Sequence, residues 1–378
     1  MRTSIHKEIS NAKLFKSQLL TWAQQFREVV FLDSNDYPQK YSNYDCILAA
    51  DAFTSITTDY HNAFEDLKQY QQTSKDWIFG YLSYDLKNDT EELNSSNYDG
   101  LQFPDLFFFQ PKKLFLLKND QLEIQYLNMC DDEVEEDLDS ILNTLISTSE
   151  NSNPIEIQQR ISKDFYLEKV NKMLEYINKG DIYEANFCQQ LTATKKQLDV
   201  VSLFYQQSLK SPTPFSAFLK LNNHVVLSAS PERYLQKTGN KLLSQPIKGT
   251  AKRYPSDNKA DDASLQQLMS SEKERSENIM IVDLVRNDLS KIAKQGSVAV
   301  SELCAIYSFP QVFQMISTIV AEVDADTHWT PIVDACFPMG SMTGAPKTKV
   351  LELINKIDFL SQKTTLKLIY DYEILLRT

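Results

Sequence analysis

Three short segments carry the side chains with the most chemical potential. Lys248 stands in Pro246-Ile247-Lys248-Gly249-Thr250, between apolar residues and a glycine. A lysine partly withdrawn from water in such a place gives up its charge more easily, and its amine becomes a nucleophile or a base. The plainer alternative is a surface lysine at a turn. Glu232, in Ser230-Pro231-Glu232-Arg233, lies one hairpin upstream. A carboxyl held beside a substrate in an apolar cleft stays protonated to higher pH and serves as a general acid; the ordinary reading is an ion pair with Arg233 or a neighbour. Glu272, Glu274 and Glu277 open a long helical pattern, followed by Asp283, Arg286, Asn287 and Asp288. Carboxylates at a helix N-terminus answer its dipole, and they equally suit Mg2+, which takes one or two carboxylates and keeps several waters. Arg286 with Asp283 or Asp288 reads as an internal network as readily as catalysis. Gly340 to Lys347 (GSMTGAPK) has the wrong spacing for a phosphate-binding loop, and Pro346 precedes its lysine.

The elements that must position these groups are marked by glycine, which is scarce. Only eight occur in 378 residues, against roughly 7% in an average protein. Four fall in Gly180-Asp-Ile-Tyr, Lys248-Gly-Thr and Gly340 to Lys347, where a positive φ or close backbone approach would need them. Strands are predicted at Glu28–Leu32, Trp77–Tyr81, Phe107–Phe109, Leu114–Leu117 and Leu122–Tyr126, the last two joined by Lys118-Asn119-Asp120. Asn88 to Gly100 reads as a polar surface loop. The acidic run Asp131 to Asp139, carrying Val134, Leu138, Ile141 and Leu142, reads as a solvated amphipathic helix. A helix capped by Ser162 and stopped at Gly180 places Val170, Leu174 and Ile177 on one face. Hairpins are predicted through Asn222-Asn223-His224 and Gly239-Asn240, then a long helix over Glu272 to Ile292. Thr148 to Pro154 is the linker candidate, dividing an N-terminal region (1–150) from a catalytic region (151–378). There is no internal repeat. Antiparallel hairpins mixed with helices give an α+β class.

Composition narrows the chemistry further. A net charge of −12 and pI near 5.0 argue against a nucleic-acid surface. No run approaches the roughly 18 apolar residues of a membrane span, and MRTSIHKEIS lacks a signal-peptide core. Five scattered cysteines without a CxxC disfavour a disulfide framework or zinc site and suit a reducing cytoplasm. None of the four histidines sits beside a candidate nucleophile. A Ser-His-Asp or Cys-His hydrolase is disfavoured on that ground.

Taken in order, GDIYEANF, PFSAFLKL, SASPERYL, PIKGTAKR, ENIMIVDLVRNDL, GSVAVSELCAIYSFPQV and FPMGSMTGAPK resemble the chorismate-utilising enzymes, the family of anthranilate synthase and aminodeoxychorismate synthase large subunits. The resemblance covers nearly the whole chain and is densest from Gly180 onward. It implies a large α+β sandwich of antiparallel sheets layered with helices, with the active site in the cleft between them. It also implies a branch. Anthranilate synthases usually carry alanine in PIxGT, whereas component I of the aminodeoxychorismate synthases carries lysine, as PIKGT does here. By that resemblance Lys248 adds to the chorismate ring, Glu232 protonates the departing C4 hydroxyl, and ammonia from a glutamine amidotransferase subunit (component II) then displaces the lysine. Glu277 matches the family's Mg2+ ligand, and Thr250, Thr343 and Gly344 match positions lining the substrate cleft. Ser34, Tyr41, Ser42, Asn43, Tyr44, Pro214, Phe215 and Ser216 align with a tryptophan pocket, a plain hydrophobic seam being the alternative.

Three departures accompany the resemblance. Phe313-Gln314 stands where a histidine is common, and Met339 replaces a glycine of FPGGS. The ending SQKTTLKLIYDYEILLRT does not follow the family's closing strands or its second acidic metal ligand. That last departure predicts a chain shortened at its carboxyl end, with weak or no turnover. The runners-up are anthranilate synthase component I and an inactive family member.

Overall fold

The computed structural model describes every residue except 39, 92, 95–98, 147–155, 189–190, 194–197 and 358–378. The expected linker at Thr148–Pro154 and the divergent ending both lie entirely outside the described residues. The strands are β1 (Arg2–Glu8), β2 (Glu28–Asp33), β3 (Cys46–Thr58), β4 (Phe79–Leu82), β5 (Leu106–Lys118), β6 (Gln121–Leu127), β7 (Gln158–Gln159), β8 (Glu184–Ala185), β9 (Leu191–Thr192), β10 (Phe215–Leu221), β11 (His224–Ser230), β12 (Arg233–Thr238), β13 (Lys241–Gln245), β14 (Ile247–Lys252), β15 (Ala299–Ser308), β16 (Val312–Glu322) and β17 (Gly344–Ala345). The helices are α1 (Ala12–Ala23), α2 (Ala63–Ser74), α3 (Lys87–Thr90), α4 (Val134–Leu142), α5 (Lys163–Lys179), α6 (Val200–Lys210), α7 (Asn258–Ser270), α8 (Glu272–Ser290), α9 (Trp329–Cys336), α10 (Gly340–Thr343) and α11 (Lys347–Ile357).

The first sheet runs β1-β6-β5-β3-β2-β10-β11, with β4 also on β5. The second runs β12-β13-β16-β14, with β15 also on β16. Every pairing is antiparallel. The first sheet takes strands from both sides of residue 150, since β10 pairs with β2. Alternate residues of its strands enter two separate cores. Val29, Phe31, Leu48 and Phe218 meet α1, α4 and α6 on one face, while Val30, Leu32, Ile47 and Leu219 pack on the other. A strand buried on both faces reads as an unbroken apolar run, which is why EVVFL lacks alternation. A further core joins the sheets, with Leu106 and Phe108 of β5 meeting Leu242 of β13, Ile319 of β16 and Val282 and Leu289 of α8.

Three expectations need correction. Phe107–Phe109 and Leu114–Leu117 are one strand, not two, because β5 continues through Pro111. Pro111 lies opposite Ala52, where β3 shifts register before Thr54, so an irregularity accommodates the missing N–H. On α5 the fully buried side chain is Met173, and Leu174 is left exposed. The helix meets α11 through Met173, Tyr176 and Ile177, so of the expected face Ile177 packs there while Leu174 does not. On α4, Leu142 is exposed while Val134, Leu138 and Ile141 are buried. The five cysteines are free thiols. No helix among the described residues is long and apolar enough to cross a membrane.

Candidate active site

Lys248 is aimed by an irregularity in the second sheet. Strand β14 pairs with β16 at Ile247↔Ile316 and again at Thr250↔Gln314, with a register shift between. Lys248 and Gly249 therefore fall in a bulge, the usual device for redirecting a side chain out of a sheet. Gly249 has φ +99°, and a Cβ there would come within 3.2 Å of Met315 Cβ and 3.3 Å of Glu274 Oε2. Helix α8 locks the bulge from below. Asn278, 1% exposed, donates through Nδ2 to the Lys248 carbonyl at 3.1 Å and the Met315 carbonyl at 3.0 Å. Its Oδ1 accepts from Ser317 Oγ at 2.5 Å.

The lysine side chain reaches across to a residue the sequence did not single out. Lys248 Nζ forms an ion pair with Glu184 Oε1. Glu184 lies in β8, inside GDIYEANF, and β8 pairs with β17 at Ala185↔Gly344 and Glu184↔Ala345. Gly344 has φ +128°, and a Cβ on it would collide with the Glu184 carbonyl and Ala185 Cα. Thus Gly344 acts through the backbone, letting two motifs 160 residues apart in sequence meet. A carboxylate inside a motif already marked by glycine was the available signal for Glu184.

Glu232 sits at the turn between β11 and β12 and accepts from the Ile247 amide at 3.2 Å. That bond ties it to the residue preceding Lys248. Burial pushes its carboxyl up to about 7. The nearby Ser341 hydroxyl, the Ile247 amide and the Lys248 charge pull in the opposite direction. The Ser341 oxygen is buried and lies outside hydrogen-bond geometry, so its influence is that of a nearby dipole. A carboxyl that is half protonated near neutrality is matched to general-acid work.

Glu277 lies three residues beyond Glu274 on α8, hence on the same face. Its side chain is 35% exposed, with Lys273 Nζ 3.6 Å away. Among the described residues no three His, Cys, Asp or Glu side chains gather as a metal cage. Mg2+ asks for only one or two carboxylates besides water, and a part-exposed carboxylate such as Glu277 is compatible with that demand. Helix α8 is itself capped by Ser271, whose Oγ accepts from the Glu274 amide at 3.3 Å. Arg286 pairs with Asp283 at 2.8 Å, whereas Asp288 is buried and holds Lys347 at 2.5 Å and Lys291 at 3.0 Å. Lys347 is thus tied to α8.

Thr250 is exposed on β14. Thr343 is fully buried, donating to the Met339 carbonyl at 3.0 Å and 3.3 Å from Tyr84 Oη. Gln314, opposite Thr250, has a buried Oε1 without a hydrogen-bond partner among the described residues. The eight residues aligned with a tryptophan pocket surround the segment before β3. Ser42 donates to the Tyr44 carbonyl at 2.6 Å, Asn43 is exposed and Pro214 buried. Asn35 Nδ2 donates to Ser216 Oγ at 2.7 Å, and the Oγ of buried Ser34 has no hydrogen-bond partner among the described residues. Between Tyr41 and Phe215 lies the Arg233 guanidinium, 5.6 Å and 5.2 Å from the ring centroids. The cavity remaining there is about 60 Å³.

Residues 27–359 match the family described as chorismate binding enzyme. Over 198 residues the chain is 40% identical to the aminodeoxychorismate synthase component 1 of Klebsiella aerogenes, a match covering 52% of this chain and 44% of that protein. Over 286 residues it is 32% identical to the anthranilate synthase component I-like protein of Synechocystis, covering 75% and 58% respectively. The chain thus spans less than half the length of the first relative and under two thirds of the second. The crystal structure of anthranilate synthase component I from Streptococcus pneumoniae superposes with a TM-score of 0.73 at 19% identity, over 86% of this chain and 79% of that one. At that identity the likeness speaks for the fold, the α+β sandwich of antiparallel sheets and helices described above.

Proposed function

The chain belongs to the chorismate binding enzyme family, and from that premise we propose that it aminates chorismate to 4-amino-4-deoxychorismate as a component I-like aminodeoxychorismate synthase. Ammonia would come from a glutamine amidotransferase subunit (component II), in the cytoplasm, for para-aminobenzoate and folate synthesis. The observation that carries the reading is Lys248, bulged from β14 and ion-paired with Glu184, with Glu232 bonded to the amide of the preceding residue. Its amine would add to the ring while Glu232 protonates the C4 hydroxyl as it leaves. Ammonia would then attack C4 and expel the lysine. Two allylic displacements replace one difficult substitution, which is the advantage of covalent catalysis.

Thr250, Thr343 and Gly344 would line the substrate cleft, Thr343 and Gly344 by shaping its backbone. Glu277 would hold Mg2+, which when bound neutralises and orients a substrate carboxylate. The region around Ser34, Tyr41 to Tyr44 and Pro214 to Ser216 would hold tryptophan. The enzyme alternative is anthranilate synthase component I, favoured by the likeness to proteins of that name. Product identity separates the two. Incubation with chorismate, Mg2+ and ammonium salts should yield a non-aromatic amino product that keeps its enolpyruvyl group. Anthranilate with free pyruvate would overturn the proposal.

A further inference from the structure

We propose that Glu184 is the proton acceptor that frees the Lys248 amine for attack. This rests on the function proposed above and adds a residue to it. An ammonium has no lone pair to give, so a lysine nucleophile needs its proton removed, and the acceptor must touch Nζ. Glu184 Oε1 is in direct contact with that nitrogen. Its other oxygen, Oε2, is buried and has no hydrogen-bond partner among the described residues. Both side chains are 17% exposed, so bulk water has limited access to the pair. Closing such a site over a substrate favours the neutral amine and acid over the separated charges.

The carboxylate is also held where it is needed. Glu184 sits in β8 with its backbone paired to β17, and the glycine at 344 is what allows the strands to approach. The other charged groups around the pair have separate positions. Glu232 comes from the β11–β12 turn and is bonded to the Ile247 amide. From α8, Glu274 flanks Gly249, and Glu277 has Lys273 beside it. From α7, Asp261 is taken by Arg253 at 2.9 Å.

The step balances as follows. The Lys248 ammonium passes one proton to the Glu184 carboxylate. The amine lone pair forms the C–N bond to the ring, the double bonds shift, and the C4–O bond breaks. Its electron pair leaves with the hydroxyl, which takes a proton from Glu232 and departs as water. Ammonia then forms the C4–N bond and the lysine C–N bond breaks, returning its pair to nitrogen. Lys248 recovers its proton from Glu184, and Glu232 takes the one shed by the new C4 ammonium.

Two readouts on Glu184→Gln test this. The first is ammonia-dependent amination between about pH 6.5 and 9. Near pH 7 the variant should lose on the order of 10²-fold, the usual loss of one proton-transfer group. Its rate relative to wild type should recover about tenfold per pH unit, as solvent takes over the deprotonation. A loss equal at every pH, as from a purely structural residue, or no loss, would overturn the proposal. The second readout is acylation of the Lys248 amine at fixed pH without substrate, read by peptide mass spectrometry. Without the carboxylate, labelling should be several-fold slower, since the amine has lost its proton acceptor; equal labelling would mean the pair does not form, and faster labelling that the carboxylate holds the ammonium rather than freeing it. A wild type that makes no aminodeoxychorismate, yet labels in a Glu184-dependent way, would overturn the proposed function and leave the pairing standing.

Discussion

Lys248 and Glu232 are adjacent through one backbone bond, Ile247 N–H to Glu232 Oε1, yet they are prepared for opposite proton traffic. Glu232 is the group whose protonation the fold alters most usefully. Folded, its carboxyl keeps a proton up to about pH 7; unfolded, only to its ordinary value of 4.5. Between those values the native state binds the extra proton, so this group's contribution to stability falls as pH rises through the window. Above it the buried charge is a penalty of about 3 kcal/mol at most. Glu232→Gln should therefore shift the stability difference in the variant's favour by up to ~3 kcal/mol between pH 4.5 and 8 in urea unfolding, while amination drops. A difference that does not move with pH would contradict the raised carboxyl. The chemical promise of Lys248 and Glu232 is legible in the sequence because each stands in a short segment with a glycine or proline. Glu184 is not, because its partner lies 64 residues away and only pairing of β8 with β17 brings it close.

At the scale of elements, the site depends on short, irregular pieces: a two-residue strand pair and a bulge. Such pieces have little hydrophobic periodicity, and periodicity is what makes strands and helices readable. The long helix α8, the hairpins of β10–β11 and β12–β13, and the α5 caps at Ser162 and Gly180 were legible, since each has a full repeat or a cap residue. The edge strand β1 and the long β3 were not. The polar end of β3, AFTSITT, is half exposed and offers no apolar run. Gly344 tests how firmly the small strand pair is built. Gly344→Ala must either abandon φ +128° or push β8 away, so it should cost about 3 kcal/mol in urea unfolding and lower amination. A variant as stable and active as wild type would mean that the β8–β17 approach is not tight.

Across the whole molecule, the two sheets share one apolar core, and the candidate site and the tryptophan-pocket residues are linked through consecutive side chains. Glu232 accepts from the Ile247 amide beside Lys248, while Arg233 lies between Tyr41 and Phe215. The cavity of about 60 Å³ there has space for a water or two, so an indole must displace the guanidinium. Tryptophan at 100 times its Kd should stabilise the fold by about 2.7 kcal/mol and raise Tm accordingly. No shift, and no such shift in Arg233→Ala, would leave a filled hydrophobic seam. The central claim is narrower: Lys248 carries out amination of chorismate. Its most direct test is product analysis by mass spectrometry after incubating wild type and Lys248→Ala with chorismate, Mg2+ and ammonium. The account expects 4-amino-4-deoxychorismate from wild type and a loss of most of it, on the order of 10²-fold or more, from a folded Lys248→Ala. Equal turnover by both proteins, or anthranilate from either, would contradict it.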